Sequence, residues 1–269
     1  MSRGAGTTDP AFDGALYAAH TAHHRAHDDE VLDAVPWRTG LRVLDVGCGV
    51  GDLTRHVADR VAPGGEVLGI DASSSQVAVA RDGDAVAGLR FEVARAQELD
   101  AVVPDGWADV VLSVATLHWV PETDQALVHR RLATALAPGG LLRIDMGGAG
   151  QVAAARAVLD EVAAGHGVAP ATWFFPEAEE LAGLVRGAGL EPLDVELVRQ
   201  RRRLPDARAV EGWLRSQVLV GYGRGDVRPE AVEAFAADAV ARAVARLRRA
   251  DGSYDQDYVR ARALARRPA

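Results

Sequence analysis

The stretch VLDVGCGVG, residues 43–51, decides the fold of this chain. Its first half is apolar and predicts a buried strand over Leu41–Val46, and its second half is a glycine-rich turn before a helix that begins near Asp52. The glycines of the turn stand two residues apart, at Gly47, Gly49 and Gly51. A dinucleotide fingerprint, G-x-G-x-x-G, would need its third glycine at position 52, and a phosphate-binding P-loop would need a lysine. The stretch therefore predicts a small ligand against this backbone, and one that is not held there by a pyrophosphate.

The composition is that of a soluble globular protein with one or two domains, since the chain has 269 residues of which 48% are hydrophobic. The net charge of −8 opposes a polyanionic partner, so no nucleic acid is expected. No apolar run approaches the roughly 20 residues of a membrane span, and the N-terminus lacks the apolar core of a secretory signal. All 30 basic residues are arginine, which excludes Schiff-base chemistry on a lysine.

The single cysteine, Cys48, forbids an internal disulfide and predicts a reducing, cytoplasmic location. Because Cys48 stands in a turn between two glycines, we interpret it as a small space-filling residue rather than as a nucleophile.

Short apolar segments alternate with helical ones, which predicts an α/β fold with a parallel sheet covered on both faces. The predicted strands are Leu41–Val46, Glu66–Ile70, Leu89–Val93, Ala108–Ser113, Leu141–Met146, Glu191–Val198 and Tyr254–Ala265. The predicted helices between them are Asp52–Ala62, Ser74–Arg81, Asp124–Ala137 and Pro176–Ala188. We therefore expect a Rossmann-like, doubly wound, seven-stranded and mostly parallel sheet.

The domain organisation follows from where the alternation of strands and helices begins and where it becomes irregular. Residues 1–40 are expected to form an N-terminal helical cover, and residues 41–269 the sheet domain. Two mainly helical insertions, at about 147–176 and 205–249, are expected to cap a ligand at the carboxyl edge of the sheet, where doubly wound folds bind. Ordinary peripheral packing is the alternative for both insertions.

Four features occur in a fixed order along the chain. The glycine turn follows the first strand, and Asp71 ends the second strand twenty residues after Gly51. The segment LHWV, residues 117–120, follows the fourth strand, and a Pro-Gly-Gly turn at 138–140 precedes the fifth. With these motifs the chain resembles class I S-adenosylmethionine-dependent methyltransferases, in particular the small-molecule branch with trans-aconitate, quinone-pathway and biotin-pathway enzymes. The resemblance covers about residues 41–146 and implies S-adenosylmethionine as the cofactor and a small-molecule methyl acceptor as the partner.

The resemblance implies a role for each residue around the cofactor. Backbone at Gly47, Cys48, Gly49 and Gly51 would pass its methionine part, and Asp45 would face its amino group. Asp71 would accept hydrogen bonds from the ribose, with Ala72 beside the adenine; the alternative for Asp71 is an N-cap of the helix from Ser74. Ala96 and Gln97 would lie at the adenine amine, where Gln97 or Glu98 would accept. Ser113 and Val114 would line the floor near the methyl group. From the N-terminal helix, Tyr17 would cover the cofactor and Arg25 would meet its carboxylate.

His118 is the best-placed candidate for a catalytic base, because a neutral imidazole near pH 7 takes a hydroxyl proton. Packing of His118 and Trp119 between helix and sheet is the alternative. A carboxylate acceptor would need no base, and arginines of the run Arg199–Arg203 would then position it unless they are simply solvated. The aromatic residues that fit an apolar acceptor, or else belong to the core, are Trp173, Phe174, Phe175, Trp213 and Tyr222.

Four histidines share one face of the N-terminal helix: His20, His23, His24 and His27. Since no matching cysteine or carboxylate motif accompanies them, no metal is expected and a solvated or half-buried face is the simpler interpretation.

Two other functions remain open from sequence. One is an S-adenosylmethionine-binding protein that catalyses a reaction such as a cyclisation, and the other is an NAD(P)-dependent oxidoreductase. Neither the oligomeric state nor the acceptor can be inferred from the sequence.

Overall fold

The computed structural model describes residues 25–223 and 229–269, with side chains from 29 to 223 and from 230 to 269. Several predicted residues lie outside this description: Tyr17, His20, His23, His24 and the side chains of Arg25 and His27. Within the described ranges, no helix combines the length and the apolar character needed to cross a bilayer.

Seven strands form one sheet, and helices connect them. The strands are β1 (Arg42–Val46), β2 (Glu66–Asp71), β3 (Leu89–Val93), β4 (Ala108–Val114), β5 (Leu136–Gly147), β6 (Glu191–Leu204) and β7 (Tyr254–Arg266). The α-helices are α1 (Arg25–Leu32), α2 (Asp52–Val61), α3 (Ser74–Asp82), α4 (Glu122–Ala135), α5 (Ala153–His166), α6 (Ala178–Gly187), α7 (Ala207–Trp213) and α8 (Pro229–Arg246). Short 3-10 turns occupy Ala96–Ala101 and Leu117–Trp119.

The order of the strands is β3-β2-β1-β4-β5-β7-β6. Strands β1 to β5 pair in parallel, and β7 runs antiparallel to β5. The predicted doubly wound and mostly parallel sheet is therefore confirmed. The chain builds outward from β1 to β3 and then returns to place β4 on the other side of β1. This reversal leaves a crevice at the carboxyl ends of β1 and β4, which is where such sheets bind ligands.

Alternation along β1 explains why helices cover both faces. Leu44 and Val46 belong to a core cluster shared with α4 and α6, whereas Val43 belongs to a second cluster with α1 and α2. Successive side chains of a strand point to opposite faces of the sheet. A strand with apolar side chains on both faces is therefore stable only when helices cover each face.

The structure corrects the predicted start of the fifth strand. Strand β5 begins at Leu136 rather than at Leu141, and the Pro-Gly-Gly turn lies inside it. Ala108 pairs with Leu136 while Val110 already pairs with Leu141, so the intervening residues bulge out of the ladder. Gly139 has a φ of 77° there, which is a conformation that glycine adopts without strain.

Contacts divide the chain into two compact units. One holds the described part of 21–151 together with Trp173–Arg199 and Val259–Ala269, and the other holds Val152–Thr172 and the described part of 200–258. The predicted insertions fall largely in the second unit, but their role as a cap stays a prediction, as does the division at residue 40.

The second unit has its own core. Helices α5 and α8 pack together, and the hydroxyl of Tyr222 donates to Asp160 at 2.7 Å. Trp213 and Tyr222 are buried within this unit, so the core interpretation holds for these two aromatic residues.

Candidate active site

The glycine turn, residues 47–51, leaves the carboxyl end of β1. Its three glycines have φ values of 84°, 55° and 87°, a region that residues with a Cβ rarely adopt. Each also lies against a protein side chain. A Cβ on Gly47 would come within 1.9 Å of Thr116 Oγ1, one on Gly49 within 2.9 Å of Gln76 Oε1, and one on Gly51 within 2.7 Å of Phe91 Cζ. From the sequence we expected glycine at these positions because a ligand passes close to the backbone. In the structure, close contacts with protein side chains also favour glycine at each of them.

Asp71 ends β2 beside this turn. Its carboxylate accepts the backbone N–H of Gly49 at 3.0 Å and that of Ser73 at 2.8 Å. The side chain that caps helix α3 is Ser73, which accepts from the N–H of Gln76, so the N-cap alternative for Asp71 is not what the structure shows. Two backbone donors therefore fix a partly exposed carboxylate at the edge of the crevice.

Asp45 and Ser113 point into the protein. Both are 1% exposed. Asp45 accepts from the Thr54 hydroxyl of α2 at 2.7 Å, and the Ser113 hydroxyl donates across the sheet to the Val46 carbonyl at 2.8 Å. These bonds hold α2 and β4 to β1 at the start of the turn. The contacts of both side chains with a ligand stay predictions.

Gln97 is the second residue of the 3-10 turn after β3. Its Nε2 donates to a carboxylate oxygen of Asp124 at 3.0 Å, and because a carboxylate only accepts, this bond fixes which end of the amide is oxygen. The amide oxygen is thus the acceptor that Gln97 presents. Its neighbour Ala96 is buried, Glu98 is exposed, Ala72 is exposed and Val114 is half-buried.

Cys48 is buried within the glycine turn. Burial, and then the carboxylates of Asp45 and Asp71, raise the pKa of its thiol far above the usual range. A thiol that stays protonated is a poor nucleophile, which agrees with the space-filling interpretation.

The β4 segment, residues 115–120, leaves the carboxyl end of β4 beside the glycine turn. Ala115 has a φ of 55°, which is uncommon for a residue with a Cβ and marks a constrained backbone. The Thr116 hydroxyl lies 3.2 Å from the Gly47 carbonyl and 3.0 Å from the Val114 carbonyl, and its one proton is shared between these two acceptors. The buried Gln125 amide of α4 donates to the carbonyls of Leu117 and Val120 at 2.8 and 3.0 Å. The segment is therefore held by its own Thr116 and by the Gln125 side chain of α4.

His118 lies in this segment and contacts β5. Its Nδ1 accepts the backbone N–H of Gly147 at 3.3 Å. Burial, and then the positive charge of Arg260, lower the pKa of His118 to about 3, against the opposing effect of Asp145. The imidazole is therefore neutral near pH 7, as a base would have to be, but one of its two nitrogens already has a partner.

Four rings form a closed set, which we call the aromatic cluster: His118, Trp119, Trp173 and Phe175. Their centroids are 5.3 Å apart between His118 and Trp119, 5.8 Å between Trp119 and Trp173, 5.6 Å between Trp173 and Phe175, and 5.7 Å between Phe175 and His118. All four side chains are half-buried, whereas Phe174 between them is in the core. The core interpretation therefore holds for Phe174, while contact of Trp173 and Phe175 with an acceptor stays a prediction.

A buried charge cluster lies next to His118. Asp145 of β5 is fully buried and accepts from Arg260 and Arg262 of β7, the latter at 2.9 Å. Arg262 also binds Glu30 of α1 at 2.8 Å. The sequence analysis missed this cluster, because its members are far apart in the chain and share no local motif.

Three arginines of the run Arg199–Arg203 contact protein groups, and the role of the run in positioning a carboxylate stays a prediction. Arg199 donates to the Ala149 carbonyl at 3.1 Å. In the second unit, Arg203 binds Asp251 and Ser253, and Arg202 lies over the ring of Tyr258 at 5.3 Å.

The fold defines a doubly wound protein, a class that binds its ligands at the topological switch point of the sheet. A methyltransferase-domain family matches residues 43–140. Trans-aconitate 2-methyltransferase of Delftia acidovorans is 31% identical over 235 residues, which cover 82% of this chain and 84% of that protein. The chain therefore belongs to the class I S-adenosylmethionine-dependent methyltransferase family, whose cofactor is S-adenosylmethionine.

Other matches are shorter or more distant. Trans-aconitate 2-methyltransferase of Variovorax paradoxus is 36% identical over 133 residues, or 49% of this chain and 48% of that protein, so the chain spans about half the length of this relative. The crystal structure of the [4+2]-cyclase SpnF has a TM-score of 0.59 and 23% identity, and covers 91% of this chain and 80% of that one. This last likeness shows the fold alone.

Proposed function

We propose that this chain transfers the methyl group of S-adenosylmethionine to a small-molecule acceptor. The observation that carries the proposal is the Asp71 carboxylate, held by the N–H groups of Gly49 and Ser73 beside the glycine turn. When bound, S-adenosylmethionine supplies a methyl group on a positively charged sulfur; the acceptor bonds to the methyl carbon while the carbon–sulfur bond breaks and its electron pair stays on sulfur.

The residues present fit this cofactor. Asp71 has the acceptor capacity for ribose hydroxyls, and the oriented amide oxygen of Gln97 suits an exocyclic amine. Gln76 is 5% exposed, and its amide oxygen has no partner among the described residues. This oxygen lies against Gly49, where a ligand hydroxyl would satisfy it. Tyr17 and Arg25 remain proposed as cover and carboxylate partner.

The protein's own contribution to the transfer is alignment. Holding two reactants in line replaces a bimolecular encounter, and this effect supplies about 7–11 kcal/mol in well-oriented cases. The anchored β4 segment and the aromatic cluster are the rigid elements available for the acceptor. Because the relatives are named for trans-aconitate, we propose a small carboxylate-bearing acceptor and no nucleic acid.

Calorimetry with S-adenosylhomocysteine tests the cofactor site. We expect Asp71→Ala to weaken binding by about 100-fold, since two charge-assisted hydrogen bonds at ~1.5 kcal/mol or more each are lost. Asp71→Asn, which keeps the shape and one acceptor oxygen, should lose less. Asp82→Ala, at the exposed end of α3, is the matched control and should bind normally. Unchanged affinity in Asp71→Ala would refute the proposed ribose contact.

Mass spectrometry of the products tests the reaction. With S-adenosylmethionine and trans-aconitate, we expect a product one methyl group heavier and one equivalent of S-adenosylhomocysteine. An isomeric product with S-adenosylmethionine unconsumed would support the cyclisation alternative. The oxidoreductase alternative requires NAD(P) binding, and the sheet order, with β7 between β5 and β6, differs from the dinucleotide-binding order 3-2-1-4-5-6.

A further inference from the structure

The tautomer of His118 is set by its contact with β5. A neutral imidazole has one N–H and one lone pair, and the backbone N–H of Gly147 points at Nδ1 from 3.3 Å. An N–H facing an N–H would repel, so Nδ1 carries the lone pair and the ring proton lies on Nε2.

The Gly147 N–H is itself fixed. Gly147 ends β5 and pairs with Arg260 of the antiparallel β7. A Cβ on Gly147 would come within 2.5 Å of the Phe175 ring, so the strand end also packs closely on the aromatic cluster. From the other side, the Phe174 N–H donates to the His118 carbonyl at 3.1 Å. These contacts fix the backbone on both sides of the imidazole.

The charged groups that face His118 favour the same state. Arg260 approaches from β7 and disfavours a second positive charge, and it is the main charged influence that lowers the pKa of His118. Asp145 of β5 would favour an imidazolium, but its two carboxylate oxygens already accept from Arg260 and Arg262. A base needs a lone pair toward its substrate, whereas here the lone pair of His118 is taken by the protein.

The geometry points to a different role for His118: its Nε2–H donates a hydrogen bond to an oxygen of a flat acceptor that lies against Trp119, Trp173 and Phe175. Among the described residues no hydrogen bond to Nε2 is found, and the half-buried rings of Trp119 and Phe175 lie 5.3 and 5.7 Å from the imidazole. Flat, conjugated groups stack on such faces. This inference rests on the proposed methyl transfer, which it deepens by naming the acceptor class.

A donor at this position selects an acceptor that is already an anion, such as a carboxylate. One carboxylate oxygen accepts from Nε2–H while the other forms its bond to the methyl carbon. The carbon–sulfur bond breaks toward sulfur, the product is a neutral ester, and no proton is released. A base is therefore not required, and His118 determines which acceptors bind.

Nitrogen-15 NMR of histidine-labelled protein with S-adenosylhomocysteine tests the tautomer without any turnover. His118→Gln identifies the resonance by its loss. We expect the His118 ring to be protonated on Nε2 and not to titrate between pH 5 and 8. A proton on Nδ1, or a titration in this range, would overturn the inference even if methyl transfer is confirmed.

Steady-state kinetics then separate donor from base. Gln carries an amide N–H at the reach of Nε2, so His118→Gln should keep kcat within about tenfold, whereas His118→Ala should raise the acceptor KM by tenfold or more. A base predicts instead that both variants lose kcat equally, by about 10²–10⁴-fold. Thermal melting of both variants shows whether they are folded. If no acceptor is methylated, the proposed function fails while the NMR result still decides the tautomer.

Discussion

The glycine turn and the β4 segment leave neighbouring parallel strands at the same edge of the sheet, but they are held in different ways. The glycine turn is fixed mostly by backbone, since the N–H groups of Gly47 and Cys48 donate to the Ile70 carbonyl at 2.7 and 2.9 Å. The β4 segment is fixed by the Gln125 side chain and by backbone from distant loops and strands. The glycine turn shows in the sequence as its glycines, whereas the LHWV motif marks the β4 segment without showing that Gln125 and Gly147 hold it.

The largest effect is expected for a substitution at the contact between the glycine turn and the β4 segment. Gly47→Ala places a Cβ 1.9 Å from Thr116 Oγ1 at a φ of 84°. We expect a loss of about 3 kcal/mol or more in the free energy of unfolding, from overpacking plus strain, and no detectable S-adenosylhomocysteine binding.

Gly139→Ala is the matched control, because its φ is 77° but nothing lies within 4 Å of the new Cβ. It should lose only about 1 kcal/mol, the cost of the strain alone. Urea unfolding and calorimetry measure both variants. Equal effects at the two glycines would mean that contact with Thr116 does not fix the turn.

A smaller effect is expected at the β4 segment. Gln125→Ala removes the amide donor of the Val120 carbonyl and leaves the Leu117 carbonyl with only the Val120 N–H, which should cost about 2–3 kcal/mol of unfolding free energy. The affinity for S-adenosylhomocysteine should change less than threefold, while the acceptor KM rises. Gln200→Ala, at an exposed position of β6, is the control. A large loss of cofactor affinity in Gln125→Ala would contradict the separation between the two elements.

The smallest effect is expected at Cys48. Because burial and two carboxylates raise the pKa of its thiol, native protein should react slowly with iodoacetamide at pH 8 and rapidly once unfolded. Cys48→Ala should bind S-adenosylhomocysteine within about threefold of the parent. Rapid alkylation of the folded protein would show instead that this part of the turn opens.

Sequence patterns predicted the sheet well, because strand and helix periodicities are local. Strand β3 has the predicted bounds, and β1, β2 and β4 differ from prediction by one residue at one end. The start of β5 was missed because a bulge places a turn signal inside a strand. The end of β6 was predicted at Val198, yet the strand continues through a run of arginines to Leu204. Strand β6 is the outermost strand of the sheet, where charged side chains are common.

The residues of the candidate site were likewise predicted only where a local sequence signal marks them. Asp71 and the glycines were predicted because each follows a recognisable strand end, where doubly wound folds place such residues. Thr116, Gln125 and Gly147 were not predicted as parts of the site, because their importance lies in contacts with residues up to 69 positions away. The interpretation of His118 as a base followed from its side chain alone and did not include the N–H of Gly147.

By itself the sequence determined the fold and the position of the glycine turn, because these depend on local periodicity and on backbone conformations open only to glycine. The cofactor followed from the resemblance of four ordered motifs to a known family. Only the tertiary structure decided which glycines lie against protein side chains, which aromatic side chains are buried, and which backbone N–H faces Nδ1 of His118. These properties depend on atoms brought together from distant parts of the chain, and no pattern of neighbouring residues encodes such a contact.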